Sequence, residues 1–298
     1  MNLLTLKDWS SKDIISVLNL AQDMKKTPSR YANHLINKTL AMLFQKTSTR
    51  TRMSFEAAMT QLGGHAQYID WRTTNIKEGN LKEEIKCIER YVDIIMARVY
   101  EHKDIQIMAE ASKIPIINGL CNLYHPCQIL ADLLTVKEKF GKLEGIKLAY
   151  IGDGNNVCHS LLIGCAKTGV EISVATPKGY EPLEEIVKSA KKISNKISIF
   201  NDPKKAVKDA NVVYTDTWIS MGQEEEKKKR LKAFKGWTVN SKLMNLTKNA
   251  YFMHCLPAYK GYEVSEDVLN SKKSIVFDQA ENRLHAQKAV LLKCLQIC

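Results

Sequence analysis

The chain has 298 residues, of which 45% are hydrophobic and 26% are charged, a composition typical of a globular protein with one or two domains. This composition excludes intrinsic disorder. A transmembrane helix is excluded because no apolar run approaches the roughly 20 residues of a bilayer span. The net charge of +12 is spread along the chain, so it favours anionic small molecules over nucleic acid or a membrane as partners.

The amino-terminal segment and the cysteines predict the compartment. Residues 1–7 lack a basic region followed by an apolar core, so we expect no signal peptide. Eight cysteines without a secretory signal are typical of reduced thiols, and their spacing fits no structural zinc site. We therefore expect a cytoplasmic protein without a bound metal.

Alternating helices and strands are predicted over the first 140 residues. A helix capped by Ser10 or Ser11 is indicated by apolar residues at i, i+3, i+4 and i+7, namely Ile14, Val17, Leu18 and Ala21. A strand over 39–44 follows, and then a helix that ends at Gly63-Gly64. The remaining elements are strands near 93–99 and 114–117, with a helix between them, and a long helix over about 126–140.

The alternation starts again after Gly141. A strand over 147–151 leads through a Gly/Asn loop to a helix that ends near Gly169. The further elements are a strand over 171–175, a helix over 183–193 and a strand over 212–215. Such alternation is typical of an α/β fold, and two successive runs of it predict two domains, each a parallel β-sheet flanked by helices.

Ligands of parallel sheets bind at loops that follow the carboxyl ends of strands. The first such loop carries four hydroxyls and two guanidinium groups at a predicted helix N-terminus, in Lys46-Thr47-Ser48-Thr49-Arg50-Thr51-Arg52. Free backbone N–H groups and the helix dipole favour an anion there, and arginine adds bidentate phosphate recognition. The loop therefore predicts a phosphate site, against the alternative of a capped helix with solvated arginines.

His125 and Gln128 lie three residues apart at the start of the next long helix, so both can face one ligand. An imidazole donor and a primary amide suit a planar group that carries a carbonyl and an NH2. The alternative for His125 is a capping or core histidine.

The loop Gly152-Asp153-Gly154-Asn155-Asn156 contains half of a dinucleotide-binding fingerprint. Val157 stands where the third glycine belongs, and the next strand ends at Thr176-Pro177 without an acidic residue for a ribose. This pattern disfavours NAD. It leaves either a hydrogen-bonding ligand at Asn155 or Asn156, or a plain tight turn.

Three further segments carry candidate side chains. Asp216 follows a predicted strand, where its carboxylate can pair with a substrate ammonium, and Gly222 lets the same loop bend towards a ligand. Cys255 follows another short strand, with a buried thiol as the alternative. Arg283 is expected to precede a final helix, where the alternative is a surface arginine. The run from Glu224 to Arg230 predicts a solvated, salt-bridged helix face.

Four motifs occur in an order that resembles ornithine carbamoyltransferases, over about residues 4–283. They are Ser48-Thr49-Arg50-Thr51-Arg52, His125-Pro126-Cys127-Gln128, Asp216-Thr217-Trp218-Ile219-Ser220-Met221-Gly222 and His254-Cys255-Leu256-Pro257. The resemblance implies transfer of the carbamoyl group of carbamoyl phosphate to the side-chain amine of L-ornithine, giving L-citrulline and phosphate in arginine biosynthesis. It implies no cofactor or metal, and a homotrimer or a multiple of trimers.

The resemblance also implies domains and site residues. A carbamoyl phosphate-binding domain over 1–133, completed by a C-terminal helix over 283–298, would precede an ornithine-binding domain over 134–282. Catalytic roles fall to Arg98, His125 and Cys255. Carbamoyl phosphate would contact Ser48, Thr49, Arg50, Thr51, Arg98, His125, Gln128, Cys255, Leu256 and Arg283. Ornithine would contact Asn156, Asp216, Ser220 and Met221.

One segment departs from the family pattern. The loop over 71–80 lacks the Gln or His that usually reaches a neighbouring subunit's phosphate site, and Arg72 or Lys77 would be the substitute donor. Two alternatives concern the reaction. The acceptor could be putrescine, an acylated ornithine or aspartate, although Asp216 favours a free α-ammonium. Outside the class, a NAD-dependent oxidoreductase on a similar scaffold is the main alternative.

Overall fold

The structure, a computed structural model, describes residues 1–220 and 222–297, apart from the side chains of Lys77 and Glu224. The chain folds as two compact units. Unit 1 comprises Met1–Leu134 and Glu281–Cys298, and unit 2 comprises Thr135–Ala280. Among the described residues no helix combines the length and the apolar character that a bilayer span requires.

Unit 1 is built on a four-stranded parallel sheet with the strand order β2-β1-β3-β4. The strands are β1 (Thr39–Phe44), β2 (His65–Asp70), β3 (Ile94–Arg98) and β4 (Ile116–Leu120). Its helices are α1 (Ser11–Lys26), α2 (Thr49–Gln61), α3 (Leu81–Ile88), α4 (His102–Ala111) and most of α5 (Pro126–Phe140) and α12 (Val276–Leu295). Short 3-10 helices cover Pro28–Tyr31, Trp71–Thr73 and Asn75–Lys77.

Strand register positions the first candidate loop. Phe44 at the end of β1 pairs with Arg98 at the end of β3, and the Arg98 carbonyl accepts the Gln45 N–H at 2.8 Å. The loop that begins at Gln45 therefore starts beside the Arg98 backbone and leads directly into α2.

Unit 2 contains a five-stranded parallel sheet with the order β7-β6-β5-β8-β9. The strands are β5 (Lys147–Ile151), β6 (Glu171–Ala175), β7 (Ile197–Phe200), β8 (Val212–Thr215) and β9 (Tyr251–His254). The helices are α6 (Asn156–Thr168), α7 (Glu184–Ile193), α8 (Pro203–Val207), α9 (Lys227–Ala233), α10 (Ser241–Met244) and α11 (Glu266–Leu269), with a 3-10 helix at Glu224–Glu226.

Three strand ends of unit 2 are level with one another. Ile151 of β5 pairs with Thr215 of β8, which pairs in turn with His254 of β9. The loops that begin at Gly152, Asp216 and Cys255 therefore leave the sheet side by side. Beneath them lies an apolar core that includes Ile151, Val213 and Phe252, each fully buried.

The structure confirms the predicted fold class, and strands β1, β5, β6 and β8 have the predicted bounds. The prediction missed β2 and β7. Both are edge strands with mostly half-exposed residues, so neither shows the continuous apolar run of a central strand. The strand predicted at 114–117 was placed too early. It begins at Ile116 because Pro115, which has no N–H to donate, contributes only its carbonyl to Ile95.

Two further expectations were wrong. The final helix does not begin after Arg283 but seven residues before it, at Val276. Its inner face carries buried polar residues, and these hide the apolar periodicity: Gln279, Asn282, Arg283 and Gln287. The segment from Glu224 to Arg230 is also not a solvated face throughout, because Arg230 is only 7% exposed.

Candidate active site

The N-terminus of α2 presents the residues predicted to bind phosphate. Ser48 is the N-cap residue, and its hydroxyl accepts the Thr51 N–H at 3.2 Å. Serine commonly has this capping role at the N-cap position. The first backbone N–H groups of α2 lie next to the loop that precedes the helix. The start of α2 therefore has the geometry that suits an anion, because it is a helix N-terminus surrounded by hydroxyl groups.

Thr51 connects this helix to two distant arginines. Its hydroxyl oxygen accepts from Arg98 Nη1 at 3.4 Å, from Arg283 Nη2 at 3.2 Å and from Ser48 Oγ at 3.0 Å. Thr51 is fully buried and both arginines are at most 5% exposed. Two guanidinium charges therefore meet at one neutral hydroxyl, which makes the position strongly attractive to a dianion.

His125 lies buried immediately before α5 and is a neutral imidazole at physiological pH. Burial lowers the pKa of His125 well below its ordinary value, and the positive charges of Arg283, Arg98 and Arg50 lower it further. A neutral ring carries one N–H donor and one acceptor nitrogen. His125 can therefore donate to a carbonyl oxygen without adding a charge to the site.

Gln128 and Arg283 are joined inside unit 1. Arg283 Nη1 donates to Gln128 Oε1 at 2.6 Å, and Gln128 Nε2 donates to Asp132 Oδ1 at 2.8 Å. Arg283 is 4% exposed, so the interpretation as a surface arginine was wrong. The reason is its place on the buried face of α12, from which it reaches both Gln128 and Thr51. Sequence reasoning missed Asp132, whose only signal is its spacing of four residues from Gln128 on one helix.

Asp216 is the centre of the candidate site in unit 2. It follows β8 and is 5% exposed. Its Oδ2 accepts from Asn155 Nδ2 at 2.7 Å, and its Oδ1 accepts from the Cys255 thiol at 3.0 Å. These two contacts fix the carboxylate at the level where the three strand ends meet.

The structure separates the two candidate asparagines. Asn155 caps α6, where its side-chain oxygen accepts from the Val157 and Cys158 N–H groups while its amide holds Asp216. Asn155 thus has a positioning role, whereas Asn156 begins the helix. Packing also explains why residue 154 is a glycine, since a Cβ there would lie 2.2 Å from the Pro182 nitrogen. Backbone packing therefore accounts for this glycine without a dinucleotide.

A buried ion pair links two loops of unit 2. Arg230 Nη1 donates to Asp153 Oδ2 at 2.9 Å and to the Trp218 carbonyl at 3.1 Å, and Arg230 Nε donates to Glu226 at 2.9 Å. Burial raises the pKa of Asp153 to about 6, although Arg230 acts in the opposite direction. Arg230 thus ties the loop after β5 to the loop after β8.

The segment after β9 is held by His254. His254 Nδ1 accepts the Leu256 N–H at 2.8 Å, and Nε2 pairs with Glu263 Oε1 at 3.1 Å, with both side chains fully buried. Leu256 adopts a left-handed conformation with φ of 59°, and the Leu256–Pro257 peptide is cis. The imidazole therefore determines the path of the backbone at Cys255 and Leu256.

Asp216, His254 and Cys255 are the one group in the described ranges 1–220 and 222–297 whose ligand atoms lie close enough for a metal, within 4.8 Å. Both ring nitrogens of His254 already have partners in the fold. A cation at this group would have to displace one of these two contacts of the imidazole. The geometry thus fits a structural role for this histidine better than a metal ligand.

Ser220 and Met221 complete the set of predicted ornithine contacts. The Ser220 N–H donates to Gln223 Oε1 at 3.1 Å, which makes a turn at this end of the loop. Met221 lies outside the described residues. Next to the loop after β8 is a cavity of about 640 Å³. It is lined by residues 217–219 and 258–260, Lys227 and Tyr262.

In the divergent loop, Arg72 is already paired. It donates to Asp70 through Nε at 3.0 Å and through Nη2 at 2.7 Å. The side chain of Lys77 is outside the described part of the structure. A donor from this loop to a neighbouring subunit stays a prediction.

Comparison with known proteins gives two family matches. Residues 1–138 match the family "Aspartate/ornithine carbamoyltransferase, carbamoyl-P binding domain", and residues 144–294 match "Aspartate/ornithine carbamoyltransferase, Asp/Orn binding domain". An ornithine carbamoyltransferase of Archaeoglobus fulgidus is 48% identical over 99% of this chain and 97% of its own. One from Bacillus subtilis is 49% identical over 97% of this chain and 92% of its own. The structure of ornithine carbamoyltransferase from Pyrococcus furiosus aligns with a TM-score of 0.93 at 48% identity, over 98% of this chain and 96% of that chain.

Proposed function

The chain belongs to the aspartate/ornithine carbamoyltransferase family and transfers the carbamoyl group of carbamoyl phosphate to L-ornithine, and we propose that its two units divide the substrates. The products are L-citrulline and phosphate, in arginine biosynthesis. Unit 1 binds carbamoyl phosphate and unit 2 binds ornithine. The observation that carries this assignment is the convergence of Arg98 and Arg283 on Thr51 at the N-terminus of α2.

The phosphate half of the substrate binds at the start of α2. Hydroxyls and backbone N–H groups of Ser48, Thr49 and Thr51 donate to its oxygens, and Arg50 adds a bidentate contact. A bound dianion also relieves the repulsion between the guanidinium groups that meet at Thr51. The free protein thus holds these cations ready for the anion.

The carbamoyl carbonyl is polarised by Arg98, His125 and Thr51. As the amine attacks, negative charge develops on the carbonyl oxygen, and each donor that is already in place is worth about 3–4 kcal/mol of transition-state stabilisation. Neutral His125 suits this role because it donates one N–H. Gln128, with the backbone carbonyls at Cys255 and Leu256, is assigned to the carbamoyl NH2.

Ornithine is recognised through its α-amino acid end. The Asp216 carboxylate pairs with the α-ammonium, and Asn156, Ser220 and Met221 are assigned to the remaining contacts. Because an acylated ornithine carries no charge at that nitrogen, Asp216 favours the unmodified amino acid. An aspartate or putrescine acceptor is the alternative within the class.

The attacking amine must first lose a proton, since its pKa is near the 10.4 of lysine. Cys255 lies beside Asp216, but its thiol is a hydrogen-bond donor to that carboxylate. A thiol that donates to a carboxylate is poorly placed to take up another proton. The ammonium loses two protons over the reaction. The first leaves to solvent before the attack. We assign the second, which the nitrogen loses as its bond to the carbamoyl carbon forms, to the departing phosphate, whose oxygens gain negative charge as the C–O bond breaks.

Two properties of the whole protein belong to the same proposal. We propose a homotrimer or a multiple of trimers, acting in the cytoplasm. Sedimentation equilibrium of the purified chain tests the assembly. A species of about three times the 33.8 kDa chain mass, or a multiple of it, supports the proposal, and a monomer contradicts it.

The test of function is ureido formation from carbamoyl phosphate with L-ornithine, putrescine, N-acetylornithine and aspartate in parallel. We expect turnover with ornithine alone. Arg50→Ala should abolish it, and Asp216→Asn should mainly raise the KM for ornithine. The matched controls Arg30→Ala and Asp209→Asn change side chains that are 72% and 51% exposed, and should leave the rate unchanged. Normal activity in Arg50→Ala would refute the phosphate site.

A further inference from the structure

The orientation of the Gln128 side-chain amide is set by two neighbours of opposite character. Arg283 has only N–H donors, so the atom of Gln128 at 2.6 Å from its Nη1 must be the carbonyl Oε1. The NH2 end then lies at 2.8 Å from the Asp132 carboxyl, a group that accepts. The two contacts require the same orientation, and each is shortened by charge.

These residues form a chain with a direction. It runs from Thr51 at the start of α2 through Arg283 to Gln128 and ends at Asp132, which lies one helical turn beyond Gln128 on α5. All four side chains are at most 4% exposed. The carbonyl end of Gln128 is therefore on the side of the phosphate-binding residues, and the NH2 end points away from them.

We propose that Asp132 is a positioning residue that makes the site specific for a carbamoyl group. By holding the Gln128 NH2, it keeps Oε1 free to accept from the carbamoyl NH2 with its second lone pair. Acyl phosphates that carry a methyl group instead of NH2 have no donor for this oxygen. This inference rests on the proposed function, because it takes Gln128 as a contact of the carbamoyl group.

The site prefers a carbamoyl group to a methyl analogue because the analogue leaves a buried hydrogen-bond acceptor without a partner. When a methyl group occupies the position of NH2, the buried Oε1 loses a partner, and Asp132 and Arg283 together prevent the amide from turning its NH2 end away. Sites built to hydrogen-bond a polar group reject the analogue that lacks it far better than apolar pockets distinguish similar shapes. Without Asp132, the amide is held at one end only.

Two isosteric, unreactive probes separate this role from general stability. Phosphonoacetamide carries an NH2, and 2-oxopropylphosphonate carries a methyl group in its place. Their dissociation constants for the full chain are measured by isothermal titration calorimetry, and the ratio of the two is the preference. The wild type should prefer phosphonoacetamide about tenfold or more.

Four variants are compared by their preference for phosphonoacetamide over 2-oxopropylphosphonate. Gln128→Leu shows how much of the preference Gln128 carries. Asp132→Ala should lower the preference at least threefold, towards the Gln128→Leu value, while the affinity for inorganic phosphate changes less than twofold. Asp132→Asn retains an acceptor and should be intermediate. It also serves if the alanine variant does not fold. Asp93→Asn, directly before β3 and in a pair with Lys38, is the matched control and should keep the wild-type ratio.

Each outcome has a distinct meaning. A reduced preference in Gln128→Leu with the wild-type value in both Asp132 variants would overturn the proposal and leave the proposed function intact. An unchanged preference in Gln128→Leu would remove Gln128 from the carbamoyl contact and refute both. Equal weakening of both probes in the Asp132 variants would show a purely structural role and would also refute the proposal.

Discussion

The buried pair between Arg230 and Asp153 gives a prediction whose size depends on pH. Arg230→Met removes the donors to Asp153 and to the Trp218 carbonyl, with both charged side chains less than 10% exposed, at 8% and 9%. Removing one partner of a buried pair typically costs about 3–5 kcal/mol, since it leaves a charge without a partner. The Asp153 carboxyl can avoid part of that cost by taking up a proton.

The pKa of Asp153 sets how large that saving is. With a pKa of about 6 in the native protein, its protonation at pH 7 costs about 1.4 kcal/mol, the equivalent of one pH unit. Loss of the hydrogen bond to the Trp218 carbonyl adds about 1.5–3 kcal/mol. We therefore expect the variant to lose about 3–4 kcal/mol of unfolding free energy at pH 7. The loss should grow by about 1.4 kcal/mol for each pH unit above pH 6.

The wild-type protein should also become less stable as the pH rises, but over a lower pH range. The native Asp153 has a pKa of about 6 and keeps its proton up to about that pH, whereas an unfolded aspartate has a pKa of 3.8 and loses its proton near that pH. The native state binds more protons between these values. This contribution to stability is therefore present at low pH and is lost as the pH rises through 6.

Urea unfolding at pH 6, 7 and 8, followed by circular dichroism, measures these differences. Arg30→Met, at an exposed position, is the control. Arg230 joins the loop that leads into α6, where Asn156 is the first residue, to the loop that carries Asp216. The variant should therefore also raise the KM for ornithine about tenfold and leave the KM for carbamoyl phosphate unchanged. A loss below 1 kcal/mol at pH 7, or the same loss at pH 6 and pH 8, would refute the reasoning.

Two further substitutions and one titration of the unchanged protein test separate features of the site and the fold. Thr51→Val removes the hydroxyl at which Arg98 and Arg283 meet, so kcat/KM for carbamoyl phosphate should fall about 100-fold or more in the citrulline assay, and a fall below threefold would contradict the role. The lowered pKa of His125 should keep its ring neutral from pH 8 to pH 6, which an NMR titration of the imidazole checks; a midpoint near 6.5 would contradict it. Asp13→Asn should lower the unfolding free energy by about 1 kcal/mol, because Asp13 caps α1 through Ser10 and pairs with Lys293 at 2.8 Å. The pKa of Asp13 is lowered to about 2 by these contacts, so their contribution is lost as the pH falls from 4 to 2, and urea titrations at pH 7 and pH 3 measure it.

The fold was predictable where burial gives a simple pattern. Strand β5, for example, is a short apolar run between charged or turn residues, and α1 repeats apolar residues behind a capping serine. The edge strand β2 offers no such pattern, since its side chains are partly exposed on both faces. Helix α12 was misplaced because its buried face carries polar side chains whose partners are distant in sequence.

The sequence indicates candidate residues whose own chemistry suits a ligand, and it does not indicate the residues that hold them in place. Asp216 directly follows β8 and Ser48 lies in the loop after β1, and the chemistry of both residues indicates a ligand. Asp132 and Arg230 hold other side chains rather than a ligand, so their residue type alone has no distinctive meaning. The burial of Arg230 depends on Asp153, which lies 77 residues away along the chain, and no local pattern carries that contact.

We propose that the candidate phosphate site of unit 1 and the candidate ornithine site of unit 2 serve one transfer reaction. The most direct test is calorimetric binding of Nδ-phosphonoacetyl-L-ornithine, one molecule that carries both substrates' recognition groups. We expect it to bind at least 100-fold more tightly than phosphonoacetamide, and expect Arg50→Ala and Asp216→Asn each to remove most of that gain. Affinity no better than that of phosphonoacetamide, or a gain untouched by Asp216→Asn, would contradict the claim.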